Sequence, residues 1–204
     1  MSGSRGLFIA LEGIDAVGKK TQTRRLMKWL ISEGLAIGSL SFPAYETVIG
    51  KEIKKFLAGT AKYPPQARAM LYAANRWEKK ADLEATLSKN DVTIVDRYTG
   101  SNLAYGLSSG LRLEWLIELE EGLPKPDLVL VLDAPPSKLT PRRGESKDTY
   151  ERDIRLQKNA RNAYLKLAAK FRWTVVDADK DLAQVTEKIH TAVTKALNAN
   201  RKTV

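Results

Sequence analysis

Leu7-Phe8-Ile9-Ala10-Leu11-Glu12-Gly13-Ile14-Asp15-Ala16-Val17-Gly18-Lys19-Lys20-Thr21-Gln22 decides the fold of this 204-residue chain. An apolar strand runs straight into Gly13-x4-Gly18-Lys19 and then into a helical pattern. The glycines let the backbone wrap tightly, so that successive N–H groups and the positive end of the following helix converge on an oligophosphate while Lys19 reaches its outer phosphates. Gly13, Ile14, Asp15, Ala16, Val17, Gly18, Lys19, Lys20 and Thr21 are therefore read as a nucleotide-phosphate cradle. Such a cradle wants Ser or Thr directly after the lysine, to place a hydroxyl on the Mg²⁺ that travels with the nucleotide. Here Lys20 stands there, followed by Thr21. Three readings stay open: a metal held by phosphate oxygens, water and a distant carboxylate; Thr21 as the substitute; or a site that has lost catalysis.

Working outward, short apolar runs at Leu7–Leu11, Leu35–Phe42, Val92–Val95, Leu128–Leu132 and Thr174–Val176 read as buried strands separated by helical periodicity. Helices are expected at Lys19–Glu33, Thr47–Ala58, Pro65–Ser88, Gly110–Glu121, Thr149–Phe171 and Leu182–Asn198, with Gly34 as a C-terminal stop. Alternation of this kind predicts an α/β fold, a doubly wound five-stranded parallel sheet flanked by helices. No Pro/Gly/Ser-rich linker divides residues 1–204, so one domain is expected.

The chain carries 34 basic against 24 acidic residues, a formal charge of +10, no cysteine and one histidine. Thiolate metal sites and disulfides are excluded, and acid–base work falls to carboxylates, lysine and arginine. The positive balance favours polyanionic partners. Yet the basic residues are spread along amphipathic helices without a nucleic-acid-binding signature, so nucleic acid is not the expected partner. No apolar run is long enough for a membrane span and no secretory signal precedes Leu7; the expectation is a cytoplasmic protein.

In doubly wound sheets ligands bind beyond the carboxyl ends of the strands. Asp96-Arg97-Tyr98 follows one strand: Asp96 is a candidate for Mg²⁺ through water, and Arg97 for bidentate phosphate binding. Tyr72 and Arg76, four apart on one helix face, pair an aromatic plane with a forked donor, which suits a flat base with carbonyl edges. Asn102 and Tyr105 offer an amide and a second ring to the same base. Thr140–Asp148 is polar and charged; with Arg142, Arg143, Arg152 and Arg155 around it, residues 140–150 read as a mobile lid that brings arginines to a transferring phosphoryl group.

These residues resemble thymidylate kinase, a nucleoside monophosphate kinase of the P-loop class, from about Leu7 to the final helix. The marks are Leu11-Glu12-Gly13-Ile14-Asp15, Gly18-Lys19-Lys20-Thr21-Gln22, Phe42-Pro43, Ala74-Asn75-Arg76-Trp77-Glu78, Asp96-Arg97-Tyr98 and Gly122-Leu123-Pro124-Lys125-Pro126-Asp127. The resemblance implies transfer of the γ-phosphoryl of ATP to dTMP with Mg²⁺, in a homodimer; dUMP or another pyrimidine nucleotide is the alternative acceptor. It implies that Asp15 contacts the deoxyribose 3′-hydroxyl and that Arg97 grips phosphates. Phe42 and Tyr72 would flank thymine, with Pro43 and Tyr45 beside them, and Arg76 would reach a thymine carbonyl. Asn102 and Tyr105 would close the monophosphate pocket, and Arg143 and the loop around Ala178 would border the adenine. Lys19, Arg97, Asp15, Arg142, Arg143 and Arg152 form the catalytic set. Three positions depart from the pattern. Lys20 replaces Ser/Thr, Ala16 stands where one branch carries a catalytic arginine, and Ala44 stands where many members are basic.

Overall fold

The computed structural model describes residues 5–139 and 149–201, and of residues 151, 152 and 201 the backbone alone. Strands β1 (Leu7–Glu12), β2 (Ile37–Ser41), β3 (Val92–Asp96), β4 (Leu128–Asp133) and β5 (Thr174–Asp177) form one sheet in the order β2-β3-β1-β4-β5, every pairing parallel. Around it lie α1 (Lys19–Ser32), α2 (Val48–Leu57), α3 (Pro65–Glu78), α4 (Lys80–Lys89), α5 (Thr99–Ser108), α6 (Leu113–Leu119), α7 (Thr149–Arg152), α8 (Ile154–Phe171) and α9 (Leu182–Arg201). Among the described residues no helix is long and apolar enough to cross a membrane.

The central strand β1 is buried along its whole length, which is why it reads as an unbroken apolar run. Its pleat sends alternate side chains to two cores. Leu7, Ile9 and Leu11 join Leu26 and Leu30 of α1, Leu103 of α5, Tyr164 and Leu167 of α8 and Ile189 of α9. Phe8 and Ala10 join Phe42, Tyr98 and the α4 residues Leu83 and Leu87 on the other face. The doubly wound α/β expectation is met.

Register then sets the site. Leu11 of β1 lies opposite Asp96 of β3, and Ser41 of β2 lies opposite the same residue. The cradle, the Phe42–Tyr45 loop and the Asp96–Tyr98 turn therefore leave the sheet side by side, joined by Phe42 N–H to Asp96 O (3.0 Å) and Arg97 N–H to Leu11 O (2.9 Å).

Several expectations about helices change. The run 65–88 is two helices, broken at Lys79 (φ −101°, ψ 8°): Arg76 and Trp77 are tied to Glu120 and Leu119, while Leu83 and Leu87 must turn under the sheet. The run 149–171 breaks at Asp153, whose carboxylate caps α8 by accepting from Leu156 N–H (2.9 Å). Helix α5 has no counterpart in the sequence reading. Its Gly100 and Gly106 lower helix propensity, yet both are used for close packing. A Cβ would lie 2.8 Å from Glu12 Oε1 at Gly100 and 2.6 Å from Leu116 Cδ1 at Gly106. Helix α6 is also shorter than the expected 110–121, and α9 runs on past Asn198 to Arg201.

Candidate active site

The cradle is built as its spacing demands. Gly13 and Gly18 take left-handed φ values of 134° and 97°, and a Cβ on Gly13 would lie 2.4 Å from Leu132 O. Ile14 and Val17 are buried beneath the loop. Lys19 opens α1 and folds back, its Nζ donating to Gly13 O (3.0 Å) and Ile14 O (2.8 Å). Burial and the neighbouring Arg97 guanidinium push Lys19 down to about 7 from its usual range, against the raising pull of Asp15, Asp96 and Glu12. Its proton is therefore weakly held until an anion arrives.

Arg97 faces Lys19 across the loop. It sits in left-handed backbone (φ 62°), a conformation that costs a non-glycine residue on the order of 1 kcal/mol and is held here by its surroundings. Fully buried Glu12 supplies part of that hold: Oε1 accepts from Tyr98 N–H (2.9 Å), and Oε2 accepts from Ser101 Oγ (2.7 Å) and Tyr164 OH (3.1 Å). The Arg97 guanidinium donates through Nη1 to Gly13 O (3.1 Å) and Ser101 Oγ (3.3 Å), and through Nη2 to Asp15 Oδ1. Lys19 and Arg97 thus meet on one carbonyl oxygen.

Asp15 joins this charge pair to the next part of the cleft. Its Oδ2 accepts from Tyr105 OH (2.7 Å) and Gln157 Nε2 (2.9 Å), while Gln157 Oε1 accepts from Asp15 N–H (3.3 Å). Burial alone would raise the Asp15 carboxyl; Arg97, then Lys19, then the hydrogen bonds from Tyr105 and Gln157 overcome it and hold it well below the usual carboxylate range. Burial and the Asp15 charge keep the Tyr105 hydroxyl protonated.

Every residue expected around the acceptor lines one cleft: Asp15, Phe42, Pro43, Tyr45, Tyr72, Arg76, Arg97, Asn102 and Tyr105. Phe42 is buried against Tyr98, whereas Tyr45 is 42 % exposed at the mouth. The Phe42–Tyr45 loop is fastened by buried Asn75, whose Oδ1 accepts from Ala44 N–H (2.8 Å) and whose Nδ2 donates to Thr47 Oγ1 (2.8 Å) and Glu78 Oε2 (3.1 Å). Arg76 and Asn102 differ from the sequence picture in what they already hold. Arg76 is 2 % exposed and bound through Nε (2.8 Å) and Nη2 to the Glu120 carboxylate. Asn102 Nδ2 donates to Glu120 Oε1 (2.6 Å) and Ala69 O (3.1 Å).

The remaining expected residues lie apart. Lys20 and Thr21 are exposed on the first turn of α1. Ala178, after β5, is half-buried and donates its N–H to Asp133 O (2.8 Å). Arg155 is exposed on α8. Arg142 and Arg143, with the expected lid segment 140–148, lie outside the described residues, as does the side chain of Arg152. Asp96 ends β3 with Oδ1 buried and without a partner among the described residues, an orphaned oxygen that suits a metal-bound water. No set of three or more metal-capable His, Cys, Asp or Glu side chains occurs among the described residues.

Several residues that line or support the cleft carried little or no signal in the sequence. Tyr150 of α7 stacks on Tyr105 (centroids 4.9 Å, 12°) and lies 6.4 Å from the Tyr72 ring. Arg68 places its guanidinium over the Phe56 and Tyr150 rings. Gln157 and Glu120 are 142 and 44 residues from the partners they hold, so nothing in local spacing marks them. For Arg68 there was a trace, since it precedes Tyr72 and Arg76 at intervals of four on one helix face.

Residues 11–189 match the thymidylate kinase family model. A thymidylate kinase of Homo sapiens is 34% identical over 192 residues, covering 93% of this chain and 90% of that protein. A thymidylate kinase of Arabidopsis thaliana is 35% identical over 189 residues, covering 93% of this chain and 71% of that protein. Among solved structures, a thymidylate kinase from Candida albicans superposes with a TM-score of 0.83 at 28% identity, over 98% of this chain and 95% of that one.

Proposed function

The chain belongs to the thymidylate kinase family, and from that premise we propose that it transfers the γ-phosphoryl group of ATP to the 5′-phosphate of dTMP, giving dTDP and ADP, in the cleft between the cradle and the Arg97 turn. The meeting of Lys19 Nζ and Arg97 Nη1 on Gly13 O, at 3.0 and 3.1 Å, carries this reading. Two basic groups resting on one neutral carbonyl beside a loop of amides are poised to exchange that oxygen for phosphate oxygens, which favour the ammonium form of Lys19.

Phosphoryl transfer asks mainly for alignment and charge neutralisation. An oxygen of the dTMP phosphate attacks the γ-phosphorus in line, the bond to the β–γ bridging oxygen breaks, and ADP leaves with that electron pair. A phosphate monoester with a second pKa of about 6 is mostly dianionic at neutral pH, so no side-chain base is required. Lys19 spans donor and acceptor phosphates, the loop 13–21 holds the β-phosphate, and Arg97 orients the acceptor. Asp15, fixed by Tyr105 and Gln157, receives the deoxyribose 3′-hydroxyl, and Tyr105 crowds the place of a ribose 2′-hydroxyl. Phe42 and Tyr72 flank the base, with Pro43 and Tyr45 closing its open side. Asp96 is the residue that would hold Mg²⁺, through water, and its buried Oδ1, without a partner among the described residues, fits that task. Mg²⁺ bound with the nucleotide neutralises charge on the phosphoryl oxygens. Arg142, Arg143 and Arg152 complete the proposal as covering arginines, with Arg143 and Ala178 bordering adenine. The same reading makes residues 1–204 one kinase domain acting as a homodimer in the cytoplasm, for which family membership is the support.

The test is a coupled ADP-release assay with MgATP across dTMP, dUMP, dCMP and thymidine. Fastest turnover on dTMP is expected. Turnover confined to another acceptor would correct the substrate, and no turnover on any pyrimidine monophosphate would overturn the reading.

A further inference from the structure

Glu120 belongs to none of the motifs that mark the site, yet its one carboxylate holds two of the polar side chains that line the cleft. It takes Nε and Nη2 of Arg76 and, on Oε1, Nδ2 of Asn102. Three consequences follow from the donor and acceptor inventory of these groups. Arg76, with two nitrogens committed, has Nη1 left for the cleft, and an arginine can only donate. Asn102 faces two oxygens, Glu120 Oε1 and Ala69 O, so its NH₂ must point at them and its Oδ1 is the face that remains. Neither Arg76 Nη1 nor Asn102 Oδ1 has a protein partner among the described residues or is fully buried, and both residues line the cleft.

We propose that Glu120 is a specificity-determining positioning residue: by fixing Arg76 as donor and Asn102 as acceptor it sets the base end to read a 4-oxo pyrimidine with a protonated N3 and to reject a 4-amino pyrimidine. Thymine and uracil present a carbonyl acceptor beside an N3–H donor, which this pair complements. Cytosine presents an amino donor and a bare N3, so both contacts meet their own kind. Glu120 does this without touching the base, and its charge also cancels that of Arg76, so the pair adds no attraction for a second phosphate there. A site whose buried polar groups are left unpaired by the wrong substrate discriminates far better than an apolar pocket. The inference rests on the thymidylate kinase reading, since it concerns the acceptor end of that same cleft.

Glu120→Gln removes the charge and lets either neighbour turn; Glu120→Asp keeps the charge, and with it the ion pair that protects folding, but withdraws the carboxylate by one methylene. Steady-state kinetics with dTMP and dCMP as acceptors test both. Each variant is expected to raise KM for dTMP by about tenfold or more and narrow the dTMP-over-dCMP preference by a similar factor, the scale of one mispaired polar contact, with kcat and KM for ATP nearly unchanged. Glu120→Asp should keep more of the preference than Glu120→Gln. A variant that loses kcat for both acceptors while its preference stays intact would make Glu120 merely structural and overturn the proposal. Wild-type protein assayed alongside separates the two readings: inactivity on all pyrimidine monophosphates defeats the kinase assignment, whereas dTMP activity with an unaltered preference in the variants defeats only the role of Glu120.

Discussion

The two ends of the cleft are built on opposite plans. At the phosphate end both basic groups rest on the Gly13 carbonyl, Lys19 with Ile14 O besides, and Arg97 with Ser101 Oγ and the Asp15 carboxylate besides. Those bonds are replaceable by an anion, and Arg97 is presented from left-handed backbone. At the base end the polar groups are spent on one another, Arg76 and Asn102 on Glu120, and Asn75 on the 44–47 backbone and its side chains. Phosphate carries diffuse charge that must change hands during the reaction, so its ligands must let go. A base is identified by a fixed pattern of donors and acceptors, so its ligands must not turn.

If that contrast is right, the largest effect comes from removing a replaceable cation. Arg97→Ala should lower kcat/KM for dTMP by about 10²–10³, the usual cost of losing one well-aimed donor in phosphoryl or acyl transfer, while ATP affinity changes little. Equal losses for both nucleotides would show that Arg97 is not the acceptor's ligand. At the fixed end, Asn75→Ala should instead register in stability. It strands the buried Ala44 N–H and is expected to cost about 1–3 kcal/mol in denaturant unfolding, with KM for dTMP rising as the Phe42–Tyr45 loop loosens. An unfolding midpoint unchanged from wild type would mean the loop is held some other way.

The contrast also explains what could be read from the sequence. The phosphate end is local: Gly13, Asp15, Gly18 and Lys19 fall within one turn between strand and helix, and Asp96-Arg97 closes the neighbouring strand, so spacing alone placed them. The parallel sheet followed from the alternation of apolar runs with helical patterns; β1 is buried throughout, whereas the edge strands β2 and β5, also expected to be buried, are largely half-exposed or exposed because each has a neighbour on one side only. The base end is not local. Tyr72, Arg76, Asn102 and Tyr105 could be nominated as types suited to a base, but Glu120, Gln157 and Tyr150 reach their partners only through the packing of α3, α5, α6, α7 and α8. Helix α5 itself was hidden because Gly100 and Gly106 argue against helix locally, and only contact with Glu12 and Leu116 gives them a use. The break at Lys79 is likewise a tertiary event, since Arg76 and Trp77 answer to α6 and its flank while Leu83 answers to the sheet.

The weak hold on the Lys19 proton gives the contrast a pH signature. With the folded, nucleotide-free group at about 7 and an unfolded lysine near 10.5, the unfolded chain binds more protons between those values; this group's contribution to stability therefore rises with pH across that window and falls away as pH drops toward 7. Bound phosphates favour the ammonium and raise its pKa again. At pH 8.5, then, ATP binding should take up about one proton, as the linkage relation requires for a group that goes from mostly neutral to charged. Calorimetric titrations in two buffers of different ionisation enthalpy measure this directly. Lys19→Met should abolish the uptake, and a wild-type value near zero would place the proton elsewhere.

The smallest expected effect concerns Lys20, which stands where a phosphate cradle usually has a Ser or Thr hydroxyl. Lys20 and Thr21 are both exposed on the first turn of α1, whereas Asp96 Oδ1 at the adjoining strand end is buried and without a partner among the described residues. On the proposed assignment, a Mg²⁺ carried by the nucleotide would meet one buried carboxylate and no hydroxyl from position 20. Lys20→Ser supplies that hydroxyl without disturbing packing, because the side chain it replaces is exposed. One added ligand of roughly 1 kcal/mol, the net worth of a good hydrogen bond, should lower the Mg²⁺ concentration for half-maximal turnover by about fivefold. Asp96→Asn should move the same midpoint upward, since an amide oxygen holds metal-bound water less well than a carboxylate. If Lys20→Ser leaves the Mg²⁺ titration where it was while Asp96→Asn shifts it, the carboxylate alone sets the metal requirement and Lys20 is a bystander; if neither moves it, the metal is carried by the phosphates and water without help from this end of the cleft.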